Sequence, residues 1–173
     1  MALNLELKIL VESYNKMLEK IRKSDAAYVK TIFQKDIYYK VKKGLLKLRV
    51  EDGSFTLIKY LRDEKGKRWS NYQLLKLDGE NPEKYLGGLF EIDTVVQKKR
   101  ELYMYKNTRI HLDTVKGLGK FLELESVVVK NKKTSEKEFD DVVNFLNLDL
   151  SNQIKASYKN LIEQKKFSNR KSK

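Results

Sequence analysis

The chain has 173 residues, of which 37 are Lys or Arg and 24 are Asp or Glu, giving a formal net charge of +13. This length fits a single domain with a real core, and the positive charge favours anionic partners such as nucleotides, polyphosphates, nucleic acid or acidic membranes. Cysteine is absent, which excludes disulfides and thiolate metal sites. Because there is no signal-peptide core and no bilayer-length apolar run, we expect a cytoplasmic protein with no membrane partner.

Strand-like alternation begins at the N-terminus. It covers residues 4–11, after which the apolar spacing becomes helical to about residue 23. Further alternating stretches follow, separated by short turns such as Asp52-Gly53. They predict strands at residues 33–40, 45–51, 54–63, 69–77, 94–106, 108–115 and 121–130. Short turns between consecutive strands predict an antiparallel sheet of about eight strands.

Three more helices are predicted from capping residues and apolar spacing. Asn81 before Pro82 is typical of a helix N-cap with proline at the first helical position. Ser135 followed by Glu138 resembles a capping box and predicts the start of a second helix. Apolar residues at helical spacing predict a last helix over residues 154–162.

The end of the chain is strongly basic and almost without apolar residues. Its cations are Lys165, Lys166, Arg170, Lys171 and Lys173. We therefore predict one domain over residues 1–163, followed by a disordered tail over residues 164–173.

Charged residues recur two positions apart on the predicted strands. The sets are Glu6 with Lys8, Lys47 with Arg49, Arg68 with Ser70 and Tyr72, Lys98 with Arg100, Arg109 with His111 and Asp113, and Glu123 with Glu125. Residues two apart in a strand share a face, so the sheet has one ionic face. That face either contacts solvent, which spacing alone favours, or lines a barrel that must hold water, metal ions and an anion. Spacing alone leaves both interpretations open.

Several sequence motifs resemble those of one family. Residues 4–8, Asn-Leu-Glu-Leu-Lys, resemble the ExExK strand of the CYTH superfamily, the triphosphate tunnel metalloenzymes. Further similar motifs follow in family order at residues 34–39, 44–49, 60–62, 68–72, 98–103, 109–113, 117–125 and 157–158. The resemblance covers residues 4–161 and is closest to the class IV adenylyl cyclase-like branch. One departure is Asn4, which stands where the broad signature has its first glutamate.

The resemblance implies an α+β fold in which an eight-stranded antiparallel β-barrel forms an open tunnel, lined with acidic and basic side chains and flanked by helices. Residues 1–163 would then be the CYTH domain, with its ionic face turned inward. The resemblance to cyclase-like proteins also favours a homodimer.

Within such a tunnel, cations would bind the substrate, a nucleoside triphosphate or another tripolyphosphate. These cations are Lys8, Lys47, Arg49, Arg62, Arg68, Lys98, Arg100 and Arg109. Hard oxygen ligands suit Mg²⁺ or Mn²⁺, and we assign Glu6, Glu123 and Glu125 to the metal site. Lys8 and Asp113 are the predicted catalytic residues.

Three aromatic residues on the same face each have two interpretations. His111 is the only histidine, and both a structural hydrogen bond and proton transfer are open to it. Tyr60 and Tyr72 share the inward parity and would either pack or contact a base or sugar.

Three functions remain open from the sequence. The first is cyclisation of ATP to cyclic AMP and pyrophosphate, and the second is hydrolysis of a terminal phosphate from tripolyphosphate, thiamine triphosphate or a nucleotide. The third is a non-catalytic module that binds polyphosphate or nucleic acid. Nucleic acid is the least favoured partner, because the sequence lacks an aromatic stacking cluster and a helical groove reader.

Overall fold

The computed structural model describes residues 2–61, 69–129 and 131–171. These residues form eight strands and four α-helices, with one short 3₁₀ turn at Leu150–Asn152. In chain order the elements are β1 (Ala2–Leu10), α1 (Asn15–Arg22), β2 (Ala27–Tyr39), β3 (Leu45–Glu51), β4 (Ser54–Leu61), β5 (Trp69–Leu77), α2 (Pro82–Leu89), β6 (Ile92–Tyr105), β7 (Thr108–Val115), β8 (Gly119–Val127), α3 (Lys132–Leu146) and α4 (Tyr158–Lys171).

All strand pairs are antiparallel, and the sheet closes on itself in the order β1-β5-β4-β3-β2-β6-β7-β8. Strand β1 completes the ring, because it pairs with β5 through residues 2–5 and with β8 through residues 4–10. The predicted α+β fold with an eight-stranded antiparallel barrel is confirmed.

The two faces of each strand differ, as the alternation predicts. On β1, Leu5 and Leu7 belong to an outer core that also contains Phe139 and Leu146 of α3 and Ile21 of α1. The helices α1 and α3 thus cover the outer face of β1, β7 and β8. Helix α2 covers another part of the outer face, where its Leu86 joins a second core on β2 and β3.

A third apolar cluster lies inside the barrel at one end. It contains Tyr38, Val96, Val115 and Phe121, all on inward positions, together with Tyr158 of α4. The Phe121 and Tyr158 rings pack edge to face with centroids 5.0 Å apart. Helix α4 therefore closes the end of the barrel that holds the β7–β8 turn, and the tunnel is not open at this end as the family resemblance implies.

The helix ends confirm one of the sequence predictions and correct another. Asn81 caps α2 as predicted, because its side chain accepts a hydrogen bond from the backbone of Lys84. The predicted capping box at Ser135 is wrong, since α3 begins at Lys132 and is capped by Asn131.

The C-terminal residues are helical for longer than predicted. Helix α4 continues to Lys171, so the expected loss of structure after residue 163 does not occur in the described part of this segment. No glycine or proline interrupts it, and Lys165 donates to the carbonyl of Gly117 at 2.7 Å. None of the helices in the described ranges is long and apolar enough to cross a membrane.

Candidate functional site

Lys98, Arg100 and Asp113 form a buried ionic cluster on the inward faces of β6 and β7. Arg100 lies directly opposite Asp113 and donates to it from Nε and Nη2, both at 2.6 Å. Lys98 Nζ donates to the same carboxylate at 2.9 Å, and the Tyr158 hydroxyl donates at 3.0 Å. Burial alone would raise the pKa of Asp113, but the charges of Arg100 and Lys98 outweigh it and hold that pKa well below its usual range.

The same arrangement recurs on β2 and β3. Arg49 lies opposite Asp36 and donates to it from Nε at 2.9 Å and from Nη2 at 3.0 Å, while Lys47 Nζ donates at 2.6 Å. Burial would raise the pKa of Asp36, yet Arg49 and Lys47 hold it far below its usual range. We call these two arrangements the Lys-x-Arg clamps, after residues 47–49 and 98–100.

Sequence reasoning did not select Asp36, although it lies in a motif quoted for the family. The charge-pair pattern misses it because the residues two positions away, Gln34 and Tyr38, are uncharged. Its register opposite Arg49 is the signal that identifies it.

Asn4, Glu6 and Glu125 lie together where β1 pairs with β8. Glu6 is directly opposite Glu125, and the Asn4 amide nitrogen donates to Glu6 at 3.2 Å and to Glu125 at 2.6 Å. Arg109 Nη1 lies 3.2 Å from the other oxygen of Glu125. Burial would raise the pKa of Glu125, but nearby His111 and Arg109 lower it, so this carboxylate is ionised at neutral pH.

Glu123, the third predicted metal ligand, has different neighbours from Glu6 and Glu125. Arg100 Nη2 donates to it at 3.2 Å, and His111 Nδ1 lies 3.9 Å away, too far for a hydrogen bond. His111 is buried, and its Nδ1 has no hydrogen-bond partner. Burial and the charge of Arg100 lower the pKa of His111, so it is neutral near pH 7.

Lys8 joins the interior of the barrel to the C-terminal segment. Its Nζ donates to the carbonyl of Ala156 at 2.8 Å and lies 4.4 Å from the centre of the Tyr158 ring. Lys98 approaches the same ring at 5.0 Å. The segment that leads into α4 therefore contacts a predicted catalytic residue directly.

Charges of both signs line the described part of the barrel, with more cations than carboxylates. The inward cations are Lys8, Lys30, Lys47, Arg49, Lys76, Lys98, Arg100 and Arg109, and the inward carboxylates are Glu6, Asp36, Glu51, Asp113, Glu123 and Glu125. Arg62, Arg68 and the Tyr60 side chain lie outside the described residues. The described lining therefore has only a small excess of cations, eight against six carboxylates, and a multiply charged anion would need further positive charge to bind there.

The cluster of Asn4, Glu6 and Glu125 has the chemistry that a hard divalent cation requires. The Asn4 carbonyl oxygen is buried with no hydrogen-bond partner, beside two carboxylates. Within the described ranges, no group of three Asp, Glu or His residues could hold an ion by itself. The donor set therefore fits Mg²⁺ or Mn²⁺ only with the amide oxygen, and with water or phosphate oxygens as the remaining ligands.

The closed barrel with an ionic interior, sealed at one end by a helix, places this chain among tunnel-type barrel proteins. The chain belongs to the CYTH domain family, whose model matches residues 2–158. Proteins of this family are in general cyclases or triphosphatases that depend on divalent metal ions. The resemblance stated from the sequence motifs is confirmed.

Three relatives illustrate the similarity. A Methanocaldococcus jannaschii protein named "Putative adenylate cyclase MJ0240" is 28% identical over 171 residues, covering 90% of this chain and 96% of the relative. The structure of the PH1012 protein from Pyrococcus horikoshii superposes with a TM-score of 0.75 at 23% identity, covering 91% of this chain and 98% of that one. The structure of a Hippeastrum protein, "Putative adenylyl cyclase HpAC1", described as having a dominant triphosphatase activity, gives a TM-score of 0.69 at 13% identity, covering 95% and 96%.

Affinity for inorganic tripolyphosphate is expected to fall as the pH rises past about 8. Burial, reinforced by Arg100, lowers the pKa of Lys98 to about 8, so this ammonium group loses its charge above that pH. Lys98 should also make stability rise between about pH 8 and 10.5, because the unfolded lysine holds a proton that the folded one has released. Calorimetric titrations at several pH values, on the wild type and Lys98→Met, measure the effect on binding.

The ligand itself titrates in this range, but it does so equally for both proteins. The difference between the two profiles therefore isolates Lys98. Identical pH profiles would show that Lys98 does not contribute its charge to binding.

Proposed function

We propose that the barrel binds a nucleoside triphosphate together with a divalent cation and converts ATP to cyclic AMP and pyrophosphate. The observation that carries the proposal is the pair of Lys-x-Arg clamps, which line the same closed barrel as the Asn4, Glu6 and Glu125 cluster. In each clamp two cations share one aspartate, so each clamp carries a net positive charge. The name of the Methanocaldococcus jannaschii relative favours cyclisation as the reaction.

The clamps would bind the phosphate chain by charge and by orientation. Arg49 and Arg100 are held by two hydrogen bonds each to an aspartate, which fixes the plane of each guanidinium group. Phosphoryl transfer depends mainly on such positioning and on stabilising charge, not on covalent catalysis. The predicted substrate-binding roles of Arg62, Arg68 and Arg109 remain part of the proposal.

Asn4, Glu6 and Glu125 would hold the divalent cation, which when bound supplies positive charge to the phosphate oxygens. Glu123 was predicted as a third ligand. Since it accepts a hydrogen bond from Arg100, we propose that it positions that guanidinium group and reaches the ion only through its remaining oxygen.

In the proposed reaction the ribose 3′-hydroxyl attacks the α-phosphorus, the bond from that phosphorus to the bridging oxygen breaks, and pyrophosphate leaves. The hydroxyl proton needs an acceptor. Asp113 suits this role poorly, because the charges of Arg100 and Lys98 hold its pKa low, and we assign it to positioning these two cations, to which it is hydrogen-bonded. His111, neutral and with an unpartnered Nδ1, suits it better.

Lys8 remains the second proposed catalytic residue. Its Nζ now contacts the Ala156 carbonyl, so it would have to exchange that contact for a phosphate oxygen. An ammonium group on a flexible stem can make such an exchange with a small movement.

Hydrolysis is the second candidate function, with water in place of the 3′-hydroxyl. The same clamps and cation would serve it, and the triphosphatase activity ascribed to the Hippeastrum protein shows why it must be tested. The third candidate function is binding of these anions without turnover.

Product identification separates the three functions. The purified protein is incubated with ATP and Mn²⁺, and separately with inorganic tripolyphosphate and thiamine triphosphate, and the products are identified by mass spectrometry. We expect cyclic AMP and pyrophosphate from ATP, with no product when EDTA is present. Formation of ADP and orthophosphate would contradict cyclisation and support hydrolysis. Binding of the substrates with no product from any of them would support the non-catalytic function.

A further inference from the structure

Part of the outer surface of the barrel is exposed between the regions that α1, α2 and α3 cover. On this surface one row of outward side chains crosses four strands. Phe33 on β2 lies directly opposite Lys99 on β6, Lys99 lies opposite Thr114 on β7, and Thr114 lies opposite Lys120 on β8. Phe33 is 68% exposed. The row therefore places an exposed aromatic ring in line with two lysines from other strands.

A second row runs beside the first, and together they form a groove. Lys35 on β2 lies directly opposite Gln97 on β6, whose backbone carbonyl accepts a hydrogen bond from Lys116 at 2.9 Å. Most side chains of the two rows line a groove of about 460 Å³, which we call the outer groove. A groove of this volume is large enough to hold part of a ligand that carries both a flat apolar group and charges.

The outer groove carries a net positive charge. Lys35, Lys99 and Lys116 line it, whereas Asp52 is the carboxylate of the described lining. Two of these lysines form ion pairs with carboxylates outside the lining, Lys35 with Glu83 and Lys99 with Glu101. Because these pairs lie on the surface, where ion pairs contribute little, an anionic ligand can replace the carboxylates at a small cost.

The basic C-terminal helix adjoins the outer groove. Lys165 of α4 donates to the carbonyl of Gly117 at 2.7 Å, and Gly117 directly follows Lys116 of the groove. On β8, Lys120 Nζ lies 5.4 Å from the centre of the Tyr14 ring, just before α1. The positive surface therefore extends beyond the groove, and its length suits a linear polyanion better than a single small anion.

Two other occupants fit this surface poorly. A symmetric contact with a second copy of this chain would bring the lysines of the groove against the same lysines of the other copy. An extended peptide could not join the sheet as a further strand, because the strands of the closed barrel are already paired on both sides. A positive groove with an exposed aromatic ring is instead the arrangement that binds single-stranded nucleic acid.

We propose that the outer groove binds single-stranded nucleic acid, with a base stacked on Phe33 and with phosphates on Lys35, Lys99 and Lys116. This binding is independent of the reaction inside the barrel, because Lys99 points outward between two residues of a Lys-x-Arg clamp that point inward. The sequence gave no sign of it, since the lysines come from distant segments and only the strand registers bring them beside Phe33. Lysine side chains and a phenyl ring read neither base edges nor the 2′-hydroxyl, so RNA and DNA of any sequence should bind alike.

Fluorescence anisotropy with a mixed-sequence RNA of about 12 nucleotides tests the proposal. The RNA carries a 5′-hydroxyl and a dye at its 3′ end, so it offers no triphosphate to the barrel. We expect Phe33→Ser to weaken binding about 10-fold, because a base loses its stacking partner. The double variant Lys99→Gln and Lys116→Gln should make the slope of log affinity against log salt concentration shallower by about 1.4, because two phosphate contacts are lost. A duplex of the same sequence should compete weakly, since its bases are already stacked.

Matched control variants lie on the helices. Tyr85 of α2 is exposed to a similar degree as Phe33, at 71%, so Tyr85→Ser removes an equally exposed aromatic ring outside the groove. The double variant Lys133→Gln and Lys137→Gln on α3 removes the same charge as the groove variant. Neither control should change the affinity by more than about twofold.

Three results would overturn the proposal. The first is no binding of the RNA by the wild type at low salt, and the second is equal weakening by the groove variants and their controls. The third is weakening by the lysine variant alone, with poly-glutamate bound as tightly as the RNA, which would identify an acidic peptide as the occupant. Products formed from ATP should be the same for every variant, so failure of this proposal would not affect the proposed function. Thermal midpoints close to that of the wild type would confirm that each variant is folded.

Discussion

Replacement of Asp113 by asparagine is expected to lower the free energy of unfolding by about 3–5 kcal/mol. Asp113 is fully buried and accepts hydrogen bonds from Lys98, Arg100 and Tyr158. Without its charge, two buried cations would lose their shared counter-ion, although the amide nearly preserves the volume. Urea denaturation at pH 7 measures the change.

The control for this prediction is Asp141→Asn. Asp141 contacts Lys106 and Lys137, each at 3.4 Å, on the outer surface, where ion pairs contribute less than about 1 kcal/mol. Tripolyphosphate should restore more stability to Asp113→Asn than to the wild type, since the ligand can replace the lost negative charge. A loss no larger than that of the control would contradict the assignment of Asp113 as the counter-ion of its clamp.

Glu125→Gln is expected to reduce metal-dependent turnover by at least about 100-fold. The change removes one of the two carboxylates that Asn4 holds together while keeping the side-chain size. Initial rates over a range of Mn²⁺ concentrations measure it, and higher Mn²⁺ should recover part of the loss if the carboxylate binds the ion.

Glu101→Gln provides a matched control on the outer face of the barrel. Glu101 forms an ion pair with Lys99 at 3.0 Å and lies opposite Leu112, which belongs to the outer core. Its replacement should leave turnover within about twofold of the wild type. If Glu125→Gln turned over substrate at the wild-type rate, the assignment of Glu125 as a metal ligand would be wrong.

The sequence predicted the strands well because their alternation is a local property. Glu6 and Lys8 had to share a face of β1, whichever way that face turned. The direction of the face depends on closure of the barrel, which joins β1 to β5 and β8 far along the chain, so spacing alone could not decide it. The family motifs decided it, and the registers confirm that choice.

The candidate site was predicted less completely, for two physical reasons. The charge-pair pattern finds only residues whose partners lie on the same strand, so it missed Asp36, whose partners lie across the sheet on β3. It also could not predict the contact between Lys8 and the Ala156 carbonyl, which joins residues 148 positions apart.

The bridging amide of Asn4 has a further consequence. A neutral side chain that donates to Glu6 and Glu125 at once lets two acidic groups share one corner of the barrel without strong mutual repulsion. The chain can therefore fold before it binds a metal ion, and a chelator should abolish activity without unfolding the protein. A low metal concentration would then inhibit the proposed reaction reversibly, because the protein stays folded and regains activity when the metal returns.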